Sequence, residues 1–323
     1  MHHGNHYARQ TIYEIVAFHA IDTIWVLLNL PIEILIIMAM TKNRCTKRLS
    51  ACQLPFDSLI MKSLQIPHPS RVLEKLRAGR KATCFKFNLG SYRAVEMAAL
   101  AGFDCVWLCQ EHVPTDSAIL DAQILAAKAH CTDSLVRVKK GCYSDYILPL
   151  EADATGIMIP HLMNLEEAHE IVQQTRFAPI GRRPVDGGNA DALFGSMNFT
   201  EYLRFANANR MLIVQIEDPE PLPQLDKICQ VKGIDMLFFG PGDFSQAIGH
   251  PGEFGHPEVA RTRRLVLETA HKYGKFAGTV CVPSVAECFA EGFDFVNCGS
   301  DVGALNESLG KALSMADNVL ENK

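Results

Sequence analysis

Short apolar runs alternate with longer amphipathic segments from Pro69 onward, and this alternation constrains the fold of the 323-residue chain most strongly. Each run is rich in β-branched and aromatic residues and is followed by turn residues, a pattern typical of a buried parallel strand. Eight strand–helix pairs in about 250 residues predict an α/β fold, a (β/α)8 TIM barrel with parallel strands. The predicted strands are residues 82–88, 105–108, 135–138, 156–160, 211–216, 236–239, 276–280 and 295–298.

An open, doubly wound sheet is the alternative architecture. It usually contains fewer strands, and no G-x-G-x-x-G motif follows the first predicted strand. We therefore predict that residues 66–323 form one barrel domain.

Residues 1–65 differ from this pattern and are predicted to be an N-terminal extension. The segment 17–40 is strongly apolar, almost long enough to span a bilayer, and basic residues follow it. Asp22 and Glu33 within it oppose a membrane span, since a charge at the bilayer centre costs about 2.5–3.5 kcal/mol on insertion scales. Three interpretations stay open: a disordered or mispredicted leader, a weakly membrane-associated helix, and an ordered cap.

Charge and cysteine content exclude two classes of protein. The net charge of −5 provides no basic face for nucleic acid. The 11 cysteines are scattered, without a C-x-x-C pair or zinc-type spacing. We interpret them as reduced thiols, which predicts a cytoplasmic protein.

Two neighbouring predicted strands end in carboxylates. Glu217 follows the strand 211–216, and Asp243 comes shortly after the strand 236–239. The C-terminal ends of barrel strands form the catalytic face, so the two carboxylates are expected side by side. Oxygen ligands of this kind suit Mg²⁺ or Mn²⁺. Either carboxylate alone is better explained as the cap of the following helix, whereas the pair favours a metal site.

Arg137 and His112 add charge to the same edge of the barrel. Arg137 lies between apolar neighbours in the third strand and needs an anionic partner, because an unpaired buried charge is costly. A substrate carboxylate and an internal salt bridge both remain open as that partner. His112 follows the second strand, where an imidazole could act as a general base near neutral pH.

Gln215 and Gly242 are candidate substrate-binding residues. Gln215 precedes Glu217 by two positions, so both side chains point to the same side of the strand. Gly240 and Gly242 let the main chain approach a ligand closely. Their amides, near a helix start, could bind a carboxylate or enolate oxygen.

Taken together and in order, several stretches resemble the HpcH/HpaI aldolase family. These are the metal-dependent class II pyruvate aldolases, which are related to the citrate lyase β-subunit. The resemblance extends from about residue 70 to residue 320. It is carried by AGFD at 101–104, EHVP at 111–114, LVR at 135–137, GIMIP at 156–160, VQIE at 214–217 and GPGDFS at 240–245.

The resemblance implies a TIM barrel, usually a hexamer, that cleaves a 4-hydroxy-2-oxoacid to pyruvate and an aldehyde through a metal-stabilised pyruvate enolate. Glu217 and Asp243 would hold the divalent metal, which is Mg²⁺ or Mn²⁺ with Co²⁺ as a further candidate. Arg137 would polarise the keto oxygen, and Gln215 with the amides near Gly242 would position the acid.

The resemblance also assigns the acid/base role to His112. A Schiff-base lysine is not needed in this chemistry, and no predicted strand presents an obvious one. Lys139 and Lys140 follow the third strand, where adjacent loop lysines are usually solvated. The aldehyde pocket is expected under the loop 182–188.

Cys109 departs from the family pattern, in which an aspartate usually precedes the histidine by three residues. An aspartate would orient the imidazole and raise its basicity, whereas a thiol is mostly neutral at pH 7. Glu111 taking over as the partner of His112, a slow enzyme, and a non-catalytic protein that binds metal and oxoacid all stay open. A lyase acting on a CoA thioester of the citrate or malyl type is a further alternative.

Overall fold

Eight parallel strands form a closed barrel in which each strand pairs with the next and β8 pairs with β1. A computed structural model describes residues 67–320. The predicted TIM barrel is therefore confirmed. The strands are β1 Ala82–Phe87, β2 Cys105–Cys109, β3 Asp133–Arg137, β4 Gly156–Ile159, β5 Met211–Ile216, β6 Met236–Phe239, β7 Phe276–Val280 and β8 Phe295–Ser300.

Helices connect the strands, and local capping residues fix where several of them begin. Ser91 accepts a hydrogen bond from the third residue after it, and Asp116 and Ser284 do the same at two other helix starts. The helices are α1 Arg71–Arg77, α2 Tyr92–Ala101, α3 Ser117–Ala129, α4 Tyr143–Glu151, α5 Leu165–Thr175, α6 Phe199–Asn209, α7 Leu225–Gln230, α8 Pro241–Ala247, α9 Pro257–Lys272, α10 Val285–Glu291 and α11 Asp301–Leu320, with single 3₁₀ turns at Ala190–Ala192 and Leu222–Gln224.

The strands separate two apolar layers. On β2, Val106 and Leu108 point outward and pack in the cluster between the sheet and the helices. Trp107 points inward and packs with Leu135 and Phe238 in the barrel interior. This alternation follows from the two-residue repeat of a strand. It also sends the polar residues near the strand ends into the barrel mouth.

Helix α1 closes the barrel at the N-terminal ends of the strands. Its side chains Val72 and Leu73 belong to the interior apolar cluster. Asp133, the first residue of β3, is fully buried and accepts hydrogen bonds from the Ser70 hydroxyl at 2.6 Å and from the amides of Arg71 and Val72 at 3.0 and 2.9 Å. The carboxylate therefore ties the start of α1 to the barrel floor. The apolar pattern predicted a later start for β3 because Asp133 is polar.

Two further expectations concern the environment of the protein. The nine cysteines of the described region are all free, and their reduced state in the cell stays a prediction. Within residues 67–320, no helix has the length and apolar character needed to cross a bilayer. The apolar segment 17–40 and the predicted extension 1–65 lie outside the described residues. The cytoplasmic location stays a prediction.

Replacing Asp133 with alanine should destabilise the barrel. The substitution removes three acceptor contacts and leaves the buried Ser70 hydroxyl and two amides unpaired, for which we expect a loss of about 2–4 kcal/mol. Urea unfolding of Asp133→Ala and of the control Glu74→Ala, an exposed residue on α1, would measure this. Equal unfolding midpoints for the two variants would contradict the role of Asp133.

Candidate active site

Inward-facing polar side chains gather at the C-terminal ends of the strands. Lys86 lies near the end of β1, Cys109 ends β2 and Arg137 ends β3. Cys109 and Arg137 are directly aligned across the pair β2–β3. Gln215 occupies the corresponding region of β5. The mouth of the barrel is thus polar above an apolar interior, as expected for a site on this face.

Glu217 is the most deeply buried carboxylate of the mouth, with 1% of the residue exposed. One carboxylate oxygen accepts a hydrogen bond from Gln215 Nε2 at 2.9 Å, and the other accepts one from the His161 amide at 3.0 Å. Burial raises the pKa of Glu217 to about 7, and Asp243 adds to this rise against the opposing effects of His161 and Arg137. The rise in the pKa therefore comes mainly from the loss of hydration on burial.

Gly240 makes room for the buried Glu217 carboxylate. A Cβ atom at position 240 would lie 2.4 Å from Glu217 Oε2 and 2.9 Å from its Cβ. The backbone of Gly240 has a φ of −101°, which any residue can adopt. Space, not conformational freedom, is thus the reason for glycine here.

Asp243 lies in the first turn of α8 with an exposed side chain. One ligand atom each from His161, Glu217 and Asp243 fall within 4.8 Å of one another. The predicted pair Glu217 and Asp243 is therefore brought together, as the sequence led us to expect. A group with two carboxylates and one imidazole could hold a divalent ion.

His161 was missed by the sequence analysis. It follows β4 and Pro160, and its Nδ1 lies 2.8 Å from an Asp218 carboxylate oxygen. Partial burial lowers its pKa, but the hydrogen bond to Asp218 and the charges of Glu217 and Glu111 outweigh this and raise the pKa overall. Its position directly after a strand end was the available signal, because other predicted site residues were recognised by the same criterion.

Arg137 is buried, with 4% of the residue exposed, and its partner is internal. Its Nε lies 2.9 Å from Glu111 Oε2, although the two are not aligned for a hydrogen bond. Its Nη2 donates to Cys109 Sγ at 3.2 Å, and the guanidinium lies 4.9 Å from the Trp107 ring centroid. Of the two partners left open by the sequence, the internal salt bridge is the one present.

Glu111 links the two histidines to the arginine. His112 Nε2 lies 3.4 Å from Glu111 Oε2, and His161 Nε2 lies 3.6 Å from Glu111 Oε1. The His112 side chain is 55% exposed. The thiol of Cys109 is paired with Arg137. The arrangement matches the open alternative in which Glu111 becomes the partner of His112.

One lysine at the mouth lies on a strand, although the sequence had shown no obvious strand lysine. Lys86 is a strand lysine, half-buried, with its Nζ 5.2 Å from the Trp107 ring centroid. Burial, followed by the charge of Arg137, lowers the pKa of Lys86. The sequence analysis had found no such strand lysine, because an isolated lysine between two phenylalanines gives no clear signal. Lys140 pairs with Glu167 at 2.9 Å, and Lys139 is exposed.

The loop 182–188 is anchored by one of its arginines, and its expected position over the aldehyde pocket stays a prediction. Arg183 is buried, donates to Asp191 Oδ2 at 2.9 Å and stacks on Phe177 at 4.6 Å, so it holds the loop in place. A cavity of about 560 Å³ lies against the residues that follow this loop, including Asn189 and Phe194. It opens beside the strand ends at Gln110 and Lys139 and is not lined by Arg137, Glu217 or Asp243.

Comparison with known proteins assigns the chain to a family. The sequence model of the HpcH/HpaI aldolase/citrate lyase family matches residues 86–307. The chain belongs to this family. The matched region contains every residue predicted for the site, and the resemblance inferred from the sequence is confirmed.

Individual relatives agree with the family assignment. The chain is 35% identical over 231 residues to a protein named 2-keto-3-deoxy-L-rhamnonate aldolase from Klebsiella pneumoniae, a match covering 71% of this chain and 85% of the relative. An HpcH/HpaI aldolase from Desulfitobacterium hafniense aligns with a TM-score of 0.71 at 26% identity, over 76% of this chain and 95% of that one. Macrophomate synthase aligns with a TM-score of 0.69 at 25% identity, over 79% and 92% of the two chains.

Adding one methyl group at Gly240 should displace Glu217 and weaken cation binding. We expect Gly240→Ala to raise the Kd for Mn²⁺ by about 10- to 100-fold. Substitutions that disturb the orientation of a metal ligand typically weaken metal binding by this factor. Calorimetric titration would measure this against Gly242→Ala, since a Cβ at 242 meets no atom within 4 Å. Unchanged Mn²⁺ affinity in Gly240→Ala would contradict the proposed crowding of the carboxylate.

Proposed function

We propose that the chain is a divalent-metal-dependent aldolase that cleaves a 4-hydroxy-2-oxoacid to pyruvate and an aldehyde. The observation that carries this proposal is the buried Glu217 carboxylate, which faces Asp243 at the same rim as Arg137. The family and its aldolase relatives confirm the prediction of a carbon–carbon lyase. The substrate is therefore a small molecule of the 2-oxoacid class.

Glu217 and Asp243 would hold the metal. The donor set fits a divalent cation because the Glu217 carboxylate is buried and both hydrogen bonds to it come from neutral N–H groups, so a nearby cation would stabilise its charged form. Each Glu217 oxygen accepts only one described hydrogen bond, which leaves acceptor capacity on both. Carboxylate oxygens suit Mg²⁺, Mn²⁺ or Co²⁺. When bound, such an ion supplies a Lewis acid that polarises a carbonyl oxygen.

Arg137 would stabilise negative charge on the keto oxygen of the substrate. Its guanidinium is buried and held between the Trp107 ring and the Cys109 thiol, so little reorganisation is needed when charge develops. The Nε group faces Glu111 without an aligned hydrogen bond. This loose pairing leaves the guanidinium available to a better-aligned oxygen.

Gln215 and Gly242 would position the substrate acid. Gln215 is buried, and its amide orientation is fixed by donation to Glu217 at 2.9 Å, while its own Oε1 has no partner among the described residues. The amide of Gly242 lies next to Asp243 in the first turn of α8. Gln215 therefore lies beside one proposed metal ligand, and Gly242 is the chain neighbour of the other.

His112 and Glu111 would transfer the proton. His112 is open to solvent and lies 3.4 Å from Glu111, so a proton on the imidazole can exchange with water. Glu111 supplies the carboxylate that the thiol of Cys109 cannot supply, and the thiol accepts a hydrogen bond from Arg137. The aldolase relatives do not favour the alternatives of a non-catalytic binding protein or a CoA-thioester lyase.

The chain would act as a homo-oligomer, a hexamer by resemblance to the family. Three leucines recur at every fourth residue on α11 and are between 48% and 64% exposed, namely Leu305, Leu309 and Leu313. Residues with this spacing share one helix face, and an exposed apolar face of this kind supports association. Light scattering of the full chain should give a mass several times 35.8 kDa, whereas a mass of one chain would contradict this part of the proposal.

Cleavage of 2-keto-3-deoxy-L-rhamnonate tests the proposed function. Pyruvate release, followed with lactate dehydrogenase and NADH, should require Mg²⁺, Mn²⁺ or Co²⁺ and stop on chelation. Glu217→Gln and Arg137→Lys should each lower kcat/KM by at least about 100-fold, comparable to removal of other charge-stabilising groups. Glu74→Ala, on the opposite side of the barrel, serves as the unaffected control.

Borohydride trapping separates this mechanism from a Schiff-base mechanism, for which Lys86 would be the candidate nucleophile. Treatment of the enzyme with pyruvate and sodium borohydride should leave the mass of the protein unchanged. Chelator-resistant cleavage together with a pyruvate adduct on Lys86 would overturn the proposed metal dependence.

A further inference from the structure

His161 is held between two carboxylates at the edge of the site. Its Nδ1 lies 2.8 Å from Asp218 Oδ2, so this nitrogen is the one that donates a hydrogen bond to a carboxylate. Its Nε2 lies on the other side of the ring, 3.8 Å from Glu217 Oε1 and 3.6 Å from Glu111 Oε1. The ring therefore presents its second nitrogen to the acidic side chains of the mouth.

The main chain fixes the position of this ring. His161 has a φ of +48°, an uncommon conformation for a residue other than glycine, which is typical of functional sites. Its amide donates to Glu217 Oε1 at 3.0 Å, and its carbonyl accepts a hydrogen bond from Lys140 Nζ. Lys140 is itself anchored by Glu167 at 2.9 Å. The backbone of His161 is thus tied both to Glu217 and to the α5 side of the loop.

This arrangement matches the environment of a metal-binding imidazole. A ligating histidine usually donates its other ring N–H to a carboxylate, which fixes the tautomer and increases the basicity of the ligating nitrogen. With its proton on Nδ1, neutral His161 has a free electron pair on Nε2. One ligand atom of His161 already lies within 4.8 Å of those of Glu217 and Asp243.

We infer that His161 is a third protein ligand, through Nε2, and that Asp218 orients it. The inference rests on the proposed metal site of Glu217 and Asp243 and extends it. A site made only of oxygen ligands suits Mg²⁺ or Mn²⁺, whereas an imidazole nitrogen favours later first-row metals such as Co²⁺ or Zn²⁺. The chain is thereby specialised for a transition-metal ion over Mg²⁺.

Metal selectivity measured by calorimetry tests the inference. Wild-type protein should bind Co²⁺ more tightly than Mg²⁺, and the part of this preference that the imidazole supplies should be lost in His161→Asn. His161→Asn should raise the Kd for Co²⁺ by at least about tenfold and change that for Mg²⁺ by less than about threefold. Asparagine tolerates the left-handed backbone, so the loop should retain its conformation.

A matched histidine provides the control. His169 is exposed on α5, eight residues after His161, and His169→Asn removes one imidazole from the same strand–helix unit. Its Kd values for Co²⁺ and Mg²⁺ should equal those of the wild type. Asp218→Asn should weaken Co²⁺ binding by about 10-fold, because the ligand loses its orienting carboxylate.

Pulsed EPR of the Mn²⁺-loaded protein gives a direct readout that does not depend on activity. The wild type and His169→Asn should show the nitrogen coupling of a bound imidazole, and His161→Asn should not. A role of His161 in proton transfer alone would leave the metal affinities and the EPR spectrum of His161→Asn unchanged. That result would overturn the inference.

Glu217→Gln separates failure of this inference from failure of the proposed function. Cation binding that depends on Glu217 but not on His161 would overturn only the third-ligand assignment and leave the two-carboxylate site in place. Cation binding that is unaffected by Glu217→Gln would contradict the proposed metal site itself. The assignment of His161 as a ligand would then fail as well.

Discussion

Burial of the Glu217 carboxylate is the constraint on which the rest of the mouth depends. A carboxylate this deeply buried loses hydration, and its charged form needs compensation from hydrogen bonds or a cation. Gln215 and the His161 amide supply one hydrogen bond each, and Gly240 leaves the space that the carboxylate occupies. Burial is the main reason why the pKa of Glu217 is raised. A divalent cation would stabilise the charged form of the carboxylate.

The side chains around Glu217 show how this member of the family distributes charge. Cys109 accepts a hydrogen bond from Arg137, and Glu111 from the loop after β2 lies 2.9 Å from the same guanidinium. Lys86 brings a second cationic side chain toward the Trp107 ring. These contacts set the neighbours of the arginine, while ligand atoms of Glu217 and Asp243 lie together with one of His161.

The fold was largely predictable from the sequence because its signals are local. Short apolar runs followed by turn residues defined the strands, and the longer amphipathic segments between them defined the helices. Glu217 and Asp243 were found because both follow strands that had to be neighbours in a barrel. The roles of Arg137 and His161 depend on contacts between different strands and loops, with Glu111 and Asp218 respectively. No periodic pattern encodes such contacts. The sequence therefore left the partner of Arg137 open and did not identify His161 as a site residue.

The most direct test of this account is the exchange of pyruvate methyl protons in D₂O, measured by mass spectrometry with Mn²⁺ or with a chelator. Exchange reports removal of a proton next to the ketone and requires no knowledge of the aldehyde. The account predicts exchange that requires the metal and is abolished in Glu217→Gln. Proton exchange that persists in the presence of the chelator and in Glu217→Gln would contradict the account. Absence of exchange by the wild-type protein with Mn²⁺ would contradict it as well.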